Sequence, residues 1–154
     1  MIFSRKCEYA LRALVHLARS NQVCDSREIS RVQQAPYHFI AKVLQELKAK
    51  GFVKSVRGVG GGFQLAEAPE TVRLLDIICA VDGNQIFRGC VYGFMGCTEN
   101  KPCPLHDGWT EIRSRIEIYL RTHTLADLAR NGDAKPPGRT EEFFSGSELE
   151  RFNK

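Results

Sequence analysis

Apolar positions recur at steps of three and four near the head of the chain. Tyr9, Ala10, Ala13, Leu14, Leu17 and Ala18 share one helical face and Ser4 can cap it, which predicts a helix over roughly residues 4–19. Asn21 to Cys24 form a break. Asp25 or Ser26 then opens a short second helix in SREISRVQQ, with Ile29 and Val32 inward. Ala35-Pro36 ends that helix, because the residue before a proline avoids the helical region. Pro36 suits the first turn of a third helix, where no backbone donor is lost. Its buried stripe is Phe39, Ile40, Val43, Leu44 and Leu47, and Gly51 is the residue that stops it.

After Gly51 the period changes to alternation. Residues 52–57 read as a strand, Gly58 to Gly62 as a turn and residues 63–66 as a returning strand. Three short helices followed by a glycine-tipped hairpin are the order of a winged helix-turn-helix, which lays its third helix in a DNA major groove. The fold class expected is therefore mainly α with a small β-hairpin wing, and a long dimerisation helix beyond it. Gly60 and its neighbours let the hairpin tip approach a phosphate backbone closely, and Arg57 supplies charge beside it. The glycine run is not a nucleotide loop, since no strand-loop-helix frames it.

Further along, Leu74 to Val81 predict a short helix ended at Asp82-Gly83. Leu105, Trp109, Ile112, Ile116 and Tyr119 or Leu120 follow the a/d spacing of a coiled-coil seam over about two heptads, with an amphipathic core-facing helix as the alternative. Thr124 caps a short TLADLAR helix. From Asn131 the chain is polar and rich in Pro and Gly, the composition of a disordered tail.

Charge sharpens this picture. Residues 1–66 hold eleven Lys/Arg against four acids, a balance of +7, while the remaining 88 residues carry −3 of the overall +4. A basic N-terminal half suits a polyanion such as double-stranded DNA, although a solvated basic face with no partner has the same composition. Arg12 and His16 interrupt the apolar N-terminal run, so neither a signal peptide nor a membrane span is predicted and a cytoplasmic, reducing location is expected.

In that compartment the six cysteines need an explanation other than disulfides. Three lie in one turn-rich loop, Cys90, Cys97 and Cys103 in a C-x6-C-x5-C array followed by His106. Gathered thiolates favour a soft metal, either zinc or an iron–sulfur cluster. The array by itself does not choose, since three Cys and one His also make a tetrahedral zinc set. Cys79 sits in an apolar run as a small core residue, and Cys7 and Cys24 read as bystanders.

The stretch LQELKAKGFVKSVRGVGGGFQLA (44–66) resembles the wing signature of the IscR/NsrR/RirA-type (Rrf family) winged-helix regulators. EYALRALVHLA (8–18), LLDIICAVDG (74–83) and the cysteine loop follow in that family's order, so the resemblance covers about residues 1–130. It implies a homodimer on an inverted-repeat operator, with Tyr37, His38, Lys42 and Gln45 on the recognition helix and Arg57 at the wing as DNA contacts. For His38 a plain surface position is the competing reading, and Lys42 suits a phosphate better than a base. The resemblance also implies that Cys90, Cys97 and Cys103 ligate a two-iron or four-iron cluster. His106 and Glu8 compete as the fourth ligand, Glu8 coming from the partner subunit. The first cysteine gap is one residue longer than in the best-known members.

The sequence thus predicts a winged helix-turn-helix domain (1–66), a connecting helix (67–83), a cysteine-rich metal loop (84–104), a dimerisation helix with a short C-terminal helix (105–130) and a disordered tail (131–154). The expected function is a DNA-binding repressor controlled by an iron–sulfur cluster that senses redox state, nitric oxide or iron–sulfur status. The alternatives are a zinc-stabilised or thiol-switched regulator of the same fold, and a protein-interaction scaffold. No nucleophile–base pair or phosphate loop supports an enzyme.

Overall fold

The structure, a computed structural model, describes residues 2–94 and 97–130. The tail expected at 131–154 lies outside the described residues.

Helix α1 (Arg5–Ser20) begins where Ser4 Oγ accepts the Cys7 N–H, and ends where Asn21 turns left-handed. Its buried line is Cys7, Ala10, Ala13, Leu14 and Leu17, so the helix lies along the middle of the core. Asp25 caps α2 (Ser26–Val32) through its carboxylate, which accepts the Arg27 N–H at 3.0 Å. Helix α3 (Tyr37–Ala49) follows a tight connection in which the Ser30 hydroxyl donates to the Ala35 carbonyl at 2.7 Å. Pro36 precedes the helix as its cap residue, and its carbonyl accepts from Phe39 and Ile40. Ile29 is buried as expected. Val32 is not: it is the last residue of α2 and stands 47% exposed.

Gly51, with φ +84°, releases the chain into β1 (Val53–Val56), which pairs antiparallel with β2 (Gly62–Leu65) in the register Val53↔Leu65 to Val56↔Gly62. Val53 and Phe63 are buried in the core and Leu65 packs partly against it, while the rest of the hairpin projects from the three-helix unit as a wing. Its base is pinned by Cys24, whose N–H and carbonyl exchange 2.9 Å hydrogen bonds with Phe63.

Helix α4 (Leu74–Asp82) buries Leu74, Ile77, Ile78 and Val81 against α1 and α6. At its end Asp82 takes hydrogen bonds from the Ser4 N–H and hydroxyl, latching α4 to the start of α1. A helical turn, α5 (Gln85–Arg88), follows; its four residues carry too little periodicity to be legible in the sequence. Helix α6 (His106–Thr122) leads into α7 (Leu125–Arg130). Thr124 and Asp127 cap α7 reciprocally, each side chain taking the other's backbone N–H. Backbone hydrogen bonds of Leu125 to Val72 and Ala126 to Pro69 return α7 to the N-terminal unit, where it packs on α1.

The predicted seam of α6 divides into two faces. Trp109, Ile116 and Leu120 turn toward α4 and α5 of the same chain. Leu105, Ile112 and Tyr119, spaced by sevens, stand 47%, 52% and 59% exposed. Among the described residues no helix is long and apolar enough to cross a membrane.

Candidate functional site

Two groups of predicted residues occupy separate places. The first is the outer face of α3. With Ile40, Val43, Leu44 and Leu47 buried, the helical period turns Tyr37, His38, Lys42 and Gln45 outward, and all four are exposed. Arg57 and Gly60 lie in the exposed wing tip. There Gly58 (φ +104°) and Gly60 (φ +75°) hold conformations that L side chains rarely adopt, with Val59 fully exposed between them. Two arginines absent from the expected set join this face. Arg27 of α2 stands 5.7 Å from the Tyr37 ring centroid, and Arg5 of α1 lines a shallow hollow with Tyr9, Pro36, His38, Phe39 and Lys42. Their regional charge was legible in the sequence; their convergence on α3 was not.

The second group is the cysteine loop between α5 and α6. The Sγ atoms of Cys90, Cys97 and Cys103 lie within 4.8 Å of one another, and those of Cys90 and Cys103 are 3.8 Å apart. Local turns produce this. Gly93 N–H donates to the Cys90 carbonyl, a two-residue turn joins Thr98 to Lys101, and His106 N–H donates to the Cys103 carbonyl. Helix α6 then fixes the loop's first end: the Trp109 indole N–H donates to the Gly89 carbonyl at 2.9 Å, and Arg113 donates to those of Arg88 and Gly89. Trp109, expected in a dimer seam, is therefore a positioning residue for Cys90. Its ring nitrogen needs a partner once it leaves water, and the loop carbonyl supplies one.

The thiols of this loop are not equivalent. Backbone N–H groups of Tyr92 and Phe94 stabilise the Cys90 thiolate and lower its pKa. At Cys103 the Leu105 N–H acts in the same sense, but desolvation and the adjacent Cys97 and Cys90 outweigh it and raise the pKa. The Cys90 thiolate is thus favoured while that of Cys103 is disfavoured without a compensating positive charge, which a bound metal would supply. The donor set fits a thiophilic metal. Of the two fourth-ligand candidates, His106 places Nδ1 3.2 Å from Cys97 Sγ. That contact is to Cys97 alone, so His106 lies beside the three-cysteine group, and Glu8, half-buried on α1, does not join it either within the chain.

The other cysteines differ. Cys7 is fully buried, and desolvation, then the Asp82 charge, pushes its thiol up to about 12. Desolvation also raises Cys79, which packs against the core. Neither is available as a thiolate near neutral pH.

The profile of the Rrf2 family, described as iron-dependent transcriptional regulators, matches residues 3–131. The chain belongs to the Rrf2 family. A relative from Aquifex aeolicus, provisionally named an HTH-type transcriptional regulator, is 37% identical over 131 residues, spanning 83% of this chain and 91% of its own. The HTH-type transcriptional regulator IscR of Photobacterium profundum is 30% identical over 152 residues, 97% of this chain and 88% of that one. The solved structure of CymR, the global cysteine regulator of B. subtilis, superposes with a TM-score of 0.73 at 27% identity, covering 84% of this chain and 96% of that chain. The Rrf2 chain is accordingly a winged-helix transcriptional regulator, and its relatives carry the names of regulators rather than enzymes.

Proposed function

We propose that this Rrf2 regulator is a homodimeric operator-binding repressor whose DNA affinity follows the state of an iron–sulfur cluster held by Cys90, Cys97 and Cys103. The convergence of three thiols on one loop beside α6 carries this reading. Such a cluster supplies redox- and nitric-oxide-sensitive chemistry through its thiolate-bound irons. The His106 Nδ1 contact with Cys97 Sγ supports His106 as the fourth ligand within the chain. Glu8 fills that role only if a second subunit brings it there.

The chain's own residues would link loop and DNA. Cys103 lies three residues before α6, α6 packs on α4, and Asp82 of α4 holds the Ser4 cap of α1, which packs on α3. A shift of the loop therefore has a continuous packed route to the recognition helix, a physical prerequisite for coupling though not a measure of it. The exposed stripe Leu105, Ile112 and Tyr119 supports a two-fold contact between copies, because apolar side chains at heptad spacing on one helix face pair with themselves. On DNA, Lys42, Arg57, Arg5 and Arg27 suit phosphates, Tyr37, His38 and Gln45 suit base edges, and Gly60 lets the wing backbone approach.

One observation also fits a second reading. The 3.8 Å between Cys90 and Cys103 is the separation of two thiolates on one tetrahedral metal ion with bonds of about 2.3 Å, a condition that zinc meets as well as one iron of a cluster does. With Cys97 and His106 this would make a structural Cys3His site. Anaerobic purification with an absorption spectrum and iron, sulfide and zinc analysis separates the two. Brown protein with iron and sulfide supports the cluster; protein that stays colourless after anaerobic reconstitution overturns it, and zinc lost when Cys90, Cys97 and Cys103 are changed to Ala assigns that metal to the loop.

A further inference from the structure

Away from the cysteine loop, three potential ligand atoms of different chemistry meet in the N-terminal unit. His16 on α1, Cys24 in the α1–α2 connection and Glu28 on α2 place an imidazole nitrogen, Sγ and a carboxylate oxygen within 4.8 Å of one another. Cys24 is 1% exposed. His16 Nε2 is shielded from solvent and has no hydrogen-bond partner among the described residues, and Glu28 Oε1 stands 3.8 Å away, too far to supply one. A buried polar nitrogen left unpaired is destabilising, so its persistence here calls for a partner.

We propose that His16, Cys24 and Glu28 form a second metal site, a mononuclear Zn2+ site with its fourth position open to water. A mixed imidazole, thiolate and carboxylate set suits that borderline ion. Its tetrahedral bond lengths put ligand atoms about 3.4–3.6 Å apart, so the observed 3.8 Å between Nε2 and Oε1 needs only a small contraction. The Cys24 thiol donates to Ser20 Oγ at 3.1 Å while the Ser20 hydroxyl donates to the Leu17 carbonyl; metal binding would displace the thiol proton, and the hydroxyl would then turn to donate to the sulfur. The half-exposed Glu28 side chain provides the entry side, while Cys24 and His16 form the buried floor.

The location adds a consequence. Cys24 is also the residue whose backbone pairs with Phe63 of the wing. An ion on its side chain would tie α1, α2 and the wing base together, and so bear on how the reading helix and wing meet DNA. With only three protein ligands the ion exchanges more readily than in a closed four-ligand site, which makes occupancy responsive to available zinc.

The test uses the full chain with Cys90, Cys97 and Cys103 changed to Ala, which removes the loop's thiols and makes the result independent of the cluster reading. Anaerobic titration with Co2+ should give one ion per chain, with visible bands of tetrahedral cobalt and a thiolate charge-transfer band, all displaced by Zn2+. His16→Gln and Glu28→Gln should each weaken binding at least tenfold, and Cys24→Ser should remove the charge-transfer band. Because Cys24 is buried, the first two variants carry the test should the third fail to fold. No tetrahedral bands in the parent, or bands undiminished in His16→Gln, overturn the proposal.

Discussion

Gly62 is the point where the wing and the α1–α2 connection come closest. A Cβ built on it would lie 2.2 Å from the Cys24 carbonyl oxygen and 3.0 Å from the Asp25 nitrogen. Both obstacles are backbone, so no side-chain rotation relieves them. Gly62→Ala must push β2 away from Cys24 by on the order of 1 Å, judged against an ordinary carbon–oxygen contact of about 3.3 Å. That displacement breaks the two 2.9 Å hydrogen bonds between Cys24 and Phe63. At about 0.5–1.5 kcal/mol each they account for about 1–3 kcal/mol, the same size as the usual penalty for overpacking a tight site. We expect a loss of about 2–3 kcal/mol in urea unfolding with the m-value unchanged, and a weakened operator complex as the wing detaches. Gly61→Ala is a second test, since its Cβ would meet the Val56 carbonyl at 2.5 Å inside the hairpin without touching Cys24. A Gly62→Ala protein within about 0.5 kcal/mol of wild type, the ordinary scatter of surface substitutions, would refute the reasoning.

Other expectations follow from the same structure. Lys42→Ala should weaken DNA binding for all sequences alike and lower the slope of log K against log salt by about 1, whereas Gln45→Ala should change sequence preference; gel-shift titrations at several salt concentrations distinguish them. Ile112→Asp, on the exposed heptad face of α6, should shift sedimentation velocity toward monomer, while Ile116→Asp, packed on the chain's own core, should unfold the protein instead. Hydrogen bonds from the Thr124 backbone and hydroxyl hold the Asp127 carboxyl below its ordinary 3.8. A depressed folded pKa contributes stability above the unfolded value that is lost as pH falls through the folded one, so Asp127→Asn should flatten the acid limb of the stability curve below about pH 4. Urea midpoints measured down to about pH 2 check this, and an acid limb as steep as wild type's would contradict the cap.

The helices, the wing and the gathering of three cysteines in one loop were legible because each rests on neighbours in sequence. A stripe at steps of three and four needs only the helical period to become a buried face, as with Ile40, Val43, Leu44 and Leu47. Glycines between two alternating segments need only local backbone freedom to become a wing tip. The period also fixed that Tyr37, His38, Lys42 and Gln45 share the opposite side of α3. One local expectation failed, since Val32 at the end of α2 is exposed, and α5, inside the stretch expected as the cysteine-rich loop, is too brief to show a period.

What the tertiary structure alone decided are meetings between residues far apart in the chain. An a/d pattern specifies that a helix has an apolar side, but not whether another chain or the same chain covers it. Packing of α6 on α4 and α5 split that side, giving Ile116 and Leu120 to the chain's own core and Trp109 to the cysteine loop, and leaving Leu105, Ile112 and Tyr119 outside. The approach of Arg5 and Arg27 to α3, the Asp82 latch on Ser4, and the junction of His16, Cys24 and Glu28 have the same origin. Sequence periodicity sets which way a side chain faces on its own element, whereas what it faces depends on how whole elements pack.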